Sequence, residues 1–592
     1  MRRPPLKVRT TAERPAGAGS AEAGDDVVSF AGDRPPWRDA AVSPLAAGLA
    51  GAESWPRLTE VSASTREVSR PQAHGLVGVG GRSPLPAALG PLSPEAADLN
   101  GGVEVRASSW GDTLLPGAMG LVVTAMITAA ALHFDKTSLT YGPAPAVVRV
   151  GLGLLFHGLA MMAVWAVWVP GAHTPRWLAC WVGFAVAGTT AAFTGRLGLE
   201  ALVLAGLVGG GTWTAARGIV SVRGMWPATA LRPLLWAVAA SGWGVAVVAG
   251  GSLSEAYRQA IAFSFAAVVI LNPLTATLLG RLLWAMCNYS YGLLDLGKLM
   301  FFVGLLLLFG SFALGAGHRG PALHVGGMDL QLFVAARLAL LVGLALYVGH
   351  HPEPRSTSAR RRILIAFLVC AIGFACLRET TEILLLAAGG TLVGLAVWGL
   401  VPTLVSASSL TALFIFLAYA VKAYYPVPAE RLALMLHPLS SLELSRVFAA
   451  IGTAGLTGLT GANLHAISRA CTSDYAPAAI TLNYGLAGLL LAVAMTALGT
   501  VFMVASAARL PNAPTRVLGL ALTGFVVAQW IVPVLSLAQI CPFGGTPFGL
   551  MGRGIAQLLG QAVAISCLSG LVTIGGRDHE QPTSDQPIAS IH

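Results

Sequence analysis

Charge is scarce in this chain of 592 residues. Asp, Glu, Lys and Arg make up 11% of it, against about 25% in ordinary soluble proteins. A soluble protein of this length divides into several domains with polar surfaces between them, and too few polar residues are present to build those surfaces. Long polar gaps are missing too, because most connections between apolar runs are too short to hold a domain. The function must therefore lie in or beside a bilayer. Cysteine is equally sparse, at seven residues with no CxxC or Cys/His spacing, so no metal site is implied. Cys180, Cys287, Cys370, Cys376 and Cys567 fall within or beside apolar runs, where cysteine acts as a small hydrophobe. The N-terminus also lacks an apolar core placed for a cleavable signal peptide.

Apolar sequence is what the chain has. Hydrophobic residues make up 55% of it, and runs of about 20 residues recur along most of its length. The reading is an all-α, polytopic integral membrane protein with about fourteen transmembrane helices. The net charge of +10 sits largely in short loops beside apolar runs, where it reports topology, so nucleic acid is not expected as a partner.

Residues 1–112 are rich in Ala, Gly, Pro, Ser, Arg and Glu and have no sustained apolar period. They cannot bury enough surface to offset ordering, so a disordered cytoplasmic tail is expected there. Residues 113–229 then read as a four-helix membrane extension, 230–575 as a ten-span core, and 576–592 as a cytoplasmic tail. The candidate spans run at 115–133, 146–169, 176–194, 197–216, 231–250, 257–284, 295–315, 328–349, 362–377, 380–400, 404–423, 475–506, 515–538 and 553–573. With the first tail inside, the loops holding Arg217 and Arg223, then Arg355, Arg360, Arg361 and Arg362, then Arg509 and Arg516 all fall inside. The positive-inside rule agrees with that count.

The same count places one long loop, 424–474, outside. Its small residues suggest a partly embedded segment, and loops of this length are usually functional.

Ionisable groups within spans are expensive and become functional candidates. Arg337 lies nine residues after Met328, about 13 Å along a helix that starts there. Arg378, Glu379 and Glu382 mark the outer end of another span. The two glutamates stand three apart and share a helix face, so one can pair with Arg378 or Arg337. A structural ion pair is the competing reading. Asp474 stands alone where the long loop meets the next apolar run, and taken by itself it reads first as a helix N-terminal residue set on the dipole.

The order of several motifs resembles the SEDS family (FtsW, RodA and SpoVE), membrane glycosyltransferases that polymerise peptidoglycan from lipid II. Thr472, Ser473, Asp474 and Tyr475 stand at the family's H-T-D-F, with Gly485 and Gly488 at the offsets of its following glycines. AERLALMLHP matches the start of the family's large outer loop through Arg431 and Pro438, and Gly452, Gly455, Leu456 and Gly458 match its glycine-rich run. Gln331 is kept, Arg337 stands at the family's lysine, and Glu379 stands at its aspartate. Gln529, Pro547, Phe548 and Gly552 match its C-terminal segments. The resemblance covers about residues 230–575 and leaves the extension and the tail unmatched. It departs at the family's Glu pair, which is Leu482 and Asn483 here, and at its Ser-Tyr pair, here Leu550 and Met551.

The resemblance implies a glycosyltransferase at the outer face of a bacterial cell membrane, taking lipid II and working with a class B penicillin-binding protein. Asp474 is the implied catalytic residue and base. Arg337, Glu379, Arg431, Arg446 and Gln331 are the implied substrate-binding residues. A divalent cation beside the diphosphate belongs to the same expectation, although no ligand set for one is recognisable. Two other classes stay open: a lipid-linked substrate transporter or flippase, and a non-catalytic scaffold for a transpeptidase. Cys471 and Cys541 both fall outside in this topology, where a disulfide between them could form.

Overall fold

Helices account for nearly all of the chain that the computed structural model describes, namely residues 171–194, 198–250, 252–288, 296–314, 323–325, 328–351, 353–377, 379–420, 422–423, 426–437, 442–454, 476–541 and 548–580. In chain order they are α1 (Thr174–Thr194), α2 (Leu199–Ser221), α3 (Ala228–Ala249), α4 (Leu253–Phe265), α5 (Pro273–Asn288), α6 (Leu296–Leu314), α7 (Leu332–His350), α8 (Thr357–Cys376), α9 (Thr380–Trp398), α10 (Leu400–Ala420), α11 (Val427–Leu436), α12 (Leu442–Ala454), α13 (Ala476–Ala508), α14 (Ala513–Leu537) and α15 (Ile555–Glu580). A two-stranded antiparallel hairpin, β1 (Leu323–Val325) and β2 (Met328–Leu330), precedes α7. The protein is an all-α, polytopic membrane protein. The tail to residue 112, the first two candidate spans, Arg378, Cys471 and Asp474 lie outside the described residues.

Among the described residues eight helices are long and apolar enough to cross a membrane, or nine with one bent pair taken as a single span. Described helices cover all twelve of the later candidate spans, although α1 and α8 are not among those eight and α6 is the shorter apolar helix Leu296–Ser311. The outward faces carry large apolar side chains, such as Leu199 at 76% and Val401 at 69% exposure. A soluble monomer does not tolerate so much exposed apolar surface, whereas a lipid-facing one requires it.

Burial is uneven. In α3, 94% of the membrane-length stretch is enclosed, and in α14 83%, while in α10 only 11% is. Close approach comes from small residues, as is usual where lipid removes the hydrophobic drive between helices. A Cβ on Gly524 of α14 would sit 2.5 Å from the Gly389 carbonyl oxygen of α9. That contact locks α9 to α14.

Three expectations change in the structure. The span expected at 328–349 begins at Leu332, because Met328–Leu330 pairs with the preceding strand. Arg337 is thus about 8 Å into its helix, not 13 Å. The span expected at 257–284 is broken by 65°. Pro273 has no N–H to give the Val269 carbonyl, and the Thr275 hydroxyl serves that carbonyl instead at 2.6 Å. The π turn Ala266–Ile270 absorbs the mismatch, with Leu271 N–H donating to the Ala266 carbonyl at 2.8 Å. The run expected at 475–506 is interrupted at Gly485, whose φ of 71° and ψ of −169° suit glycine and split α13 into a short leading piece and a long span. Within the long loop, α11 and α12 are helical, and α12 rests on α13. Cys541 is a free thiol.

Candidate functional site

α7, α9 and α15 begin at the end of the bundle where α14 finishes, and that end holds a buried polar network. Arg337 is wholly buried, and its Nη1 donates to Glu382 Oε2 at 2.6 Å. Its Nη2 donates to Gln557 Oε1 at 3.1 Å, and Gln557 Nε2 donates to Glu382 Oε1 at 3.2 Å. Gln529 donates to Gln557, and Gln561 donates to Gln529. The amides therefore run in one direction, from Gln561 through Gln529 and Gln557 to the Glu382 carboxylate. The guanidinium also lies 4.6 Å from the centre of the Phe525 ring, a favourable face for a cation.

Each member comes from a place its helix dictates. Glu382 is in the first turn of α9, Gln557 in the first turn of α15, and Gln561 one turn further. Gln557 and Gln561 are four apart and so share a face. Gln529 comes from α14, which Gly524 and Gly389 hold against α9. In an apolar interior a carboxylate and a guanidinium persist as a pair supported by further hydrogen bonds. Here both Glu382 oxygens and both Arg337 Nη groups are bonded, while Arg337 Nε stays buried without a hydrogen-bond partner.

Arg337 pairs with Glu382, not with Glu379, and it is enclosed. A direct contact between Arg337 and a substrate would require this network to open. Glu379 is half-buried just ahead of α9, with its backbone N–H donating to the Phe374 carbonyl at 3.0 Å and its carbonyl accepting from Glu382 N–H at 3.1 Å. Gln331 is half-buried immediately before α7, where its side chain does not cap the helix. Arg431, on α11 of the long loop, donates to the Thr381 hydroxyl at 2.9 Å. Arg446 lies on α12, which packs on α13.

The structure thus brings Arg431 to the start of α9, one residue from Glu382 and two from Glu379. Asp474 lies outside the described residues, two positions before α13. The first turns of α13 are deeply set, with Ala476, Ala478, Ala479, Ile480 and Leu482 all wholly buried. Sequence reasoning missed Gln557, Gln561 and Phe525 as partners of Arg337. The signal available was the repeat of amides four apart in an otherwise apolar run, since polar groups at membrane depth seek partners.

Beside the network, α7, α8, α9 and α10 enclose an apolar cavity of about 310 Å³. Leu341, Phe367, Leu384, Val393 and Phe414 line it, and Pro428 of α11 stands at the end nearest Arg431. Four of its hydroxyls, on Thr391, Thr403, Ser406 and Thr411, donate to carbonyls of their own helices. What remains is a surface for hydrocarbon. Among the described residues no group of three His, Cys, Asp or Glu side chains could hold a metal ion.

Solved structures resemble this architecture. The likeness is to RodA. A crystal structure of the rod shape determining protein RodA of Thermus thermophilus matches at 18% identity and a TM-score of 0.38, over 59% of this chain and 97% of that one. A point variant of the same protein matches at 17% and 0.39, over 59% and 98%. A chain of a peptidoglycan synthase complex, solved to show how polymerization and crosslinking are coordinated, matches at 19% and 0.45, over 59% and 98%. No protein-family model matches the chain, and no curated protein sequence does. At such low identity and TM-score, the functional reading has to come from this chain's own residues.

Proposed function

We propose that this protein polymerises a lipid-linked cell-wall glycan, using lipid II or a related lipid-linked sugar at the outer face of the membrane with a class B penicillin-binding protein as partner. The observation that carries the reading is the contact of Arg431 with Thr381. It seats the long loop against the start of α9, beside an apolar cavity suited to a polyprenyl tail.

Glycosyl transfer onto a sugar hydroxyl needs a base for the proton and a cation to offset the leaving diphosphate. Asp474 is the only carboxylate between Glu443 and the end of the last span, and it takes the role of base. Arg431 faces the diphosphate, with Glu379 and Gln331 at the same end of the bundle, and Arg446 on α12 adds charge from the loop. Arg337 acts from beneath by fixing α7, α9 and α15 in register. The division, elongation or sporulation setting follows from the partner.

A polymerisation assay on lipid II with purified protein and partner tests the reading. Asp474→Asn keeps size and helix-capping ability and removes the base, so polymer should disappear while thermal stability holds. Full activity in that variant, or none in the wild-type complex, removes the enzyme reading. One observation favours a second reading: Leu482, at the place of the family's first glutamate, is wholly buried. An inactive wild-type complex that still binds and activates a transpeptidase would establish the scaffold.

A further inference from the structure

Three arginines stand together at the far end of α8. Its 20 residues rise about 30 Å, so its first turns lie well away from the Arg337 network. Arg360, Arg361 and Arg362 follow one another there, where the helix dipole is already positive and cations are disfavoured. Among the described residues none of the three has an ion pair. Arg360 stands 5.9 Å from the centre of the Trp398 ring, and its Nε is buried with no hydrogen-bond partner. A concentration of positive charge with no carboxylate to balance it is stable only where water or an exogenous anion takes the carboxylate's place.

A second cavity, of about 320 Å³, opens at this point between α8 and α10. Thr357, Arg360 and Arg361 form its mouth, and Leu364, Leu368 and Leu410 are among the side chains of its wall. The wall is open to lipid because α10 is so little enclosed, with Val401 at 69% and Val405 at 60% exposure. The combination of a cationic mouth and a hydrocarbon wall matches one class of molecule. We propose that this groove seats a single anionic glycerophospholipid, its phosphate between Arg360 and Arg361 and one acyl chain along Leu364, Leu368 and Leu410.

Charge complementarity selects the occupant. A zwitterionic lipid brings its own cation to a mouth already positive and gains less there, whereas an anionic headgroup also meets the helix N-terminus. The lipid-linked substrate of the proposed function belongs at the opposite end of α8, near Arg431, so its diphosphate does not reach this mouth. The inference stands whether or not the glycan reading does.

Native mass spectrometry of the full chain with added phosphatidylglycerol or phosphatidylcholine tests it. Wild type should retain one phosphatidylglycerol in preference to phosphatidylcholine. Arg360→Gln with Arg361→Gln should weaken that retention by about thirtyfold, from roughly a fivefold contribution per arginine near the surface. Arg360→Lys with Arg361→Lys should keep most of it, which separates charge from fold. Leu410→Trp fills the wall and should lose the lipid with both arginines intact. Equal retention of the two lipids, or unchanged preference in the double Gln variant, overturns the proposal. So does unchanged retention in Leu410→Trp, which would mean a diffuse layer and no seat. Displacement of the retained lipid by equimolar polyprenyl diphosphate would make the occupant a substrate-type lipid and overturn the assignment.

Discussion

Arginine appears at both ends of α8 in opposite circumstances. At the end where α9 starts, Arg337 is wholly buried, bonded to Glu382 and Gln557 and set over Phe525. At the other end Arg360, Arg361 and Arg362 crowd one helical turn without an ion pair among the described residues. Placing a guanidinium in an apolar interior costs several kcal/mol, about all of which must be offset by partners fixed in place. At the membrane surface water and lipid headgroups serve, and nothing in the chain needs to be built for the purpose. A built network therefore marks where the chain constrains itself, and an unbuilt cluster marks where it leaves a place for something else.

Breaking the built side gives the largest expected effect. Glu382→Leu leaves Arg337 buried and unpaired and should cost about 3–5 kcal/mol, seen as a large fall in thermal stability in detergent and poor accumulation. Arg337→Met combined with Glu382→Leu should recover much of that loss, because a buried pair replaced by apolar groups of similar volume is often neutral or better. If the double variant is as unstable as Glu382→Leu alone, the ion pair is not what destabilises the single one. The amide chain from Gln561 would then be the element that matters.

Widening the frame around the network should have a middling effect. Gly524→Ala places a Cβ 2.5 Å from the Gly389 carbonyl oxygen, and the clash is with backbone, which cannot rotate away. Separation of α9 from α14 should cost about 1–3 kcal/mol and draw Glu382 of α9 away from the amides of α14 and α15. A stability unchanged within error would show that the two helices tolerate a wider spacing. Arg431→Ala removes one charge-assisted hydrogen bond, worth about 1.5–3 kcal/mol where it is shielded from water. Its effect should appear as faster proteolysis of the loop helices α11 and α12, with the remaining spans unaffected.

How much of this was legible beforehand differs by residue. The positions of most of the twelve later spans followed from apolar runs, since a bilayer imposes a minimum length on every spanning helix. The buried position of Arg337 followed from its apolar neighbours, and Glu382 was one of the possible partners named for it. The choice of Glu382 over Glu379, and the start of α7 at Leu332, did not follow. Both depend on where a helix begins: a three-residue strand pairing delays α7 to Leu332, and α9 starts at Thr380, which leaves Glu379 ahead of the helix and Glu382 in its first turn. The break at Pro273 was visible as a proline and went unread, because proline within a span is tolerated whenever a neighbour such as Thr275 serves the freed carbonyl. Gln557 and Gln561 mattered only once α14 and α15 were side by side, a relation between distant parts of the chain that no local pattern encodes.

The smallest expected effect lies at the unbuilt end and sharpens the comparison most. Arg361 is exposed and has no ion pair among the described residues, so Arg361→Gln removes repulsion within its turn and eases the clash with the helix dipole. In a detergent without anionic lipid the change in stability should stay within about 0.5 kcal/mol, with either sign acceptable. Adding phosphatidylglycerol should stabilise the wild type more than the variant, since only a ligand that binds the folded state raises its stability by mass action. The difference in melting temperature between the two proteins should therefore grow with the lipid and vanish with phosphatidylcholine. A loss as large as that of Glu382→Leu in lipid-free detergent would mean that Arg361 is held by the protein itself. The contrast between the two ends of α8 would then be one of degree.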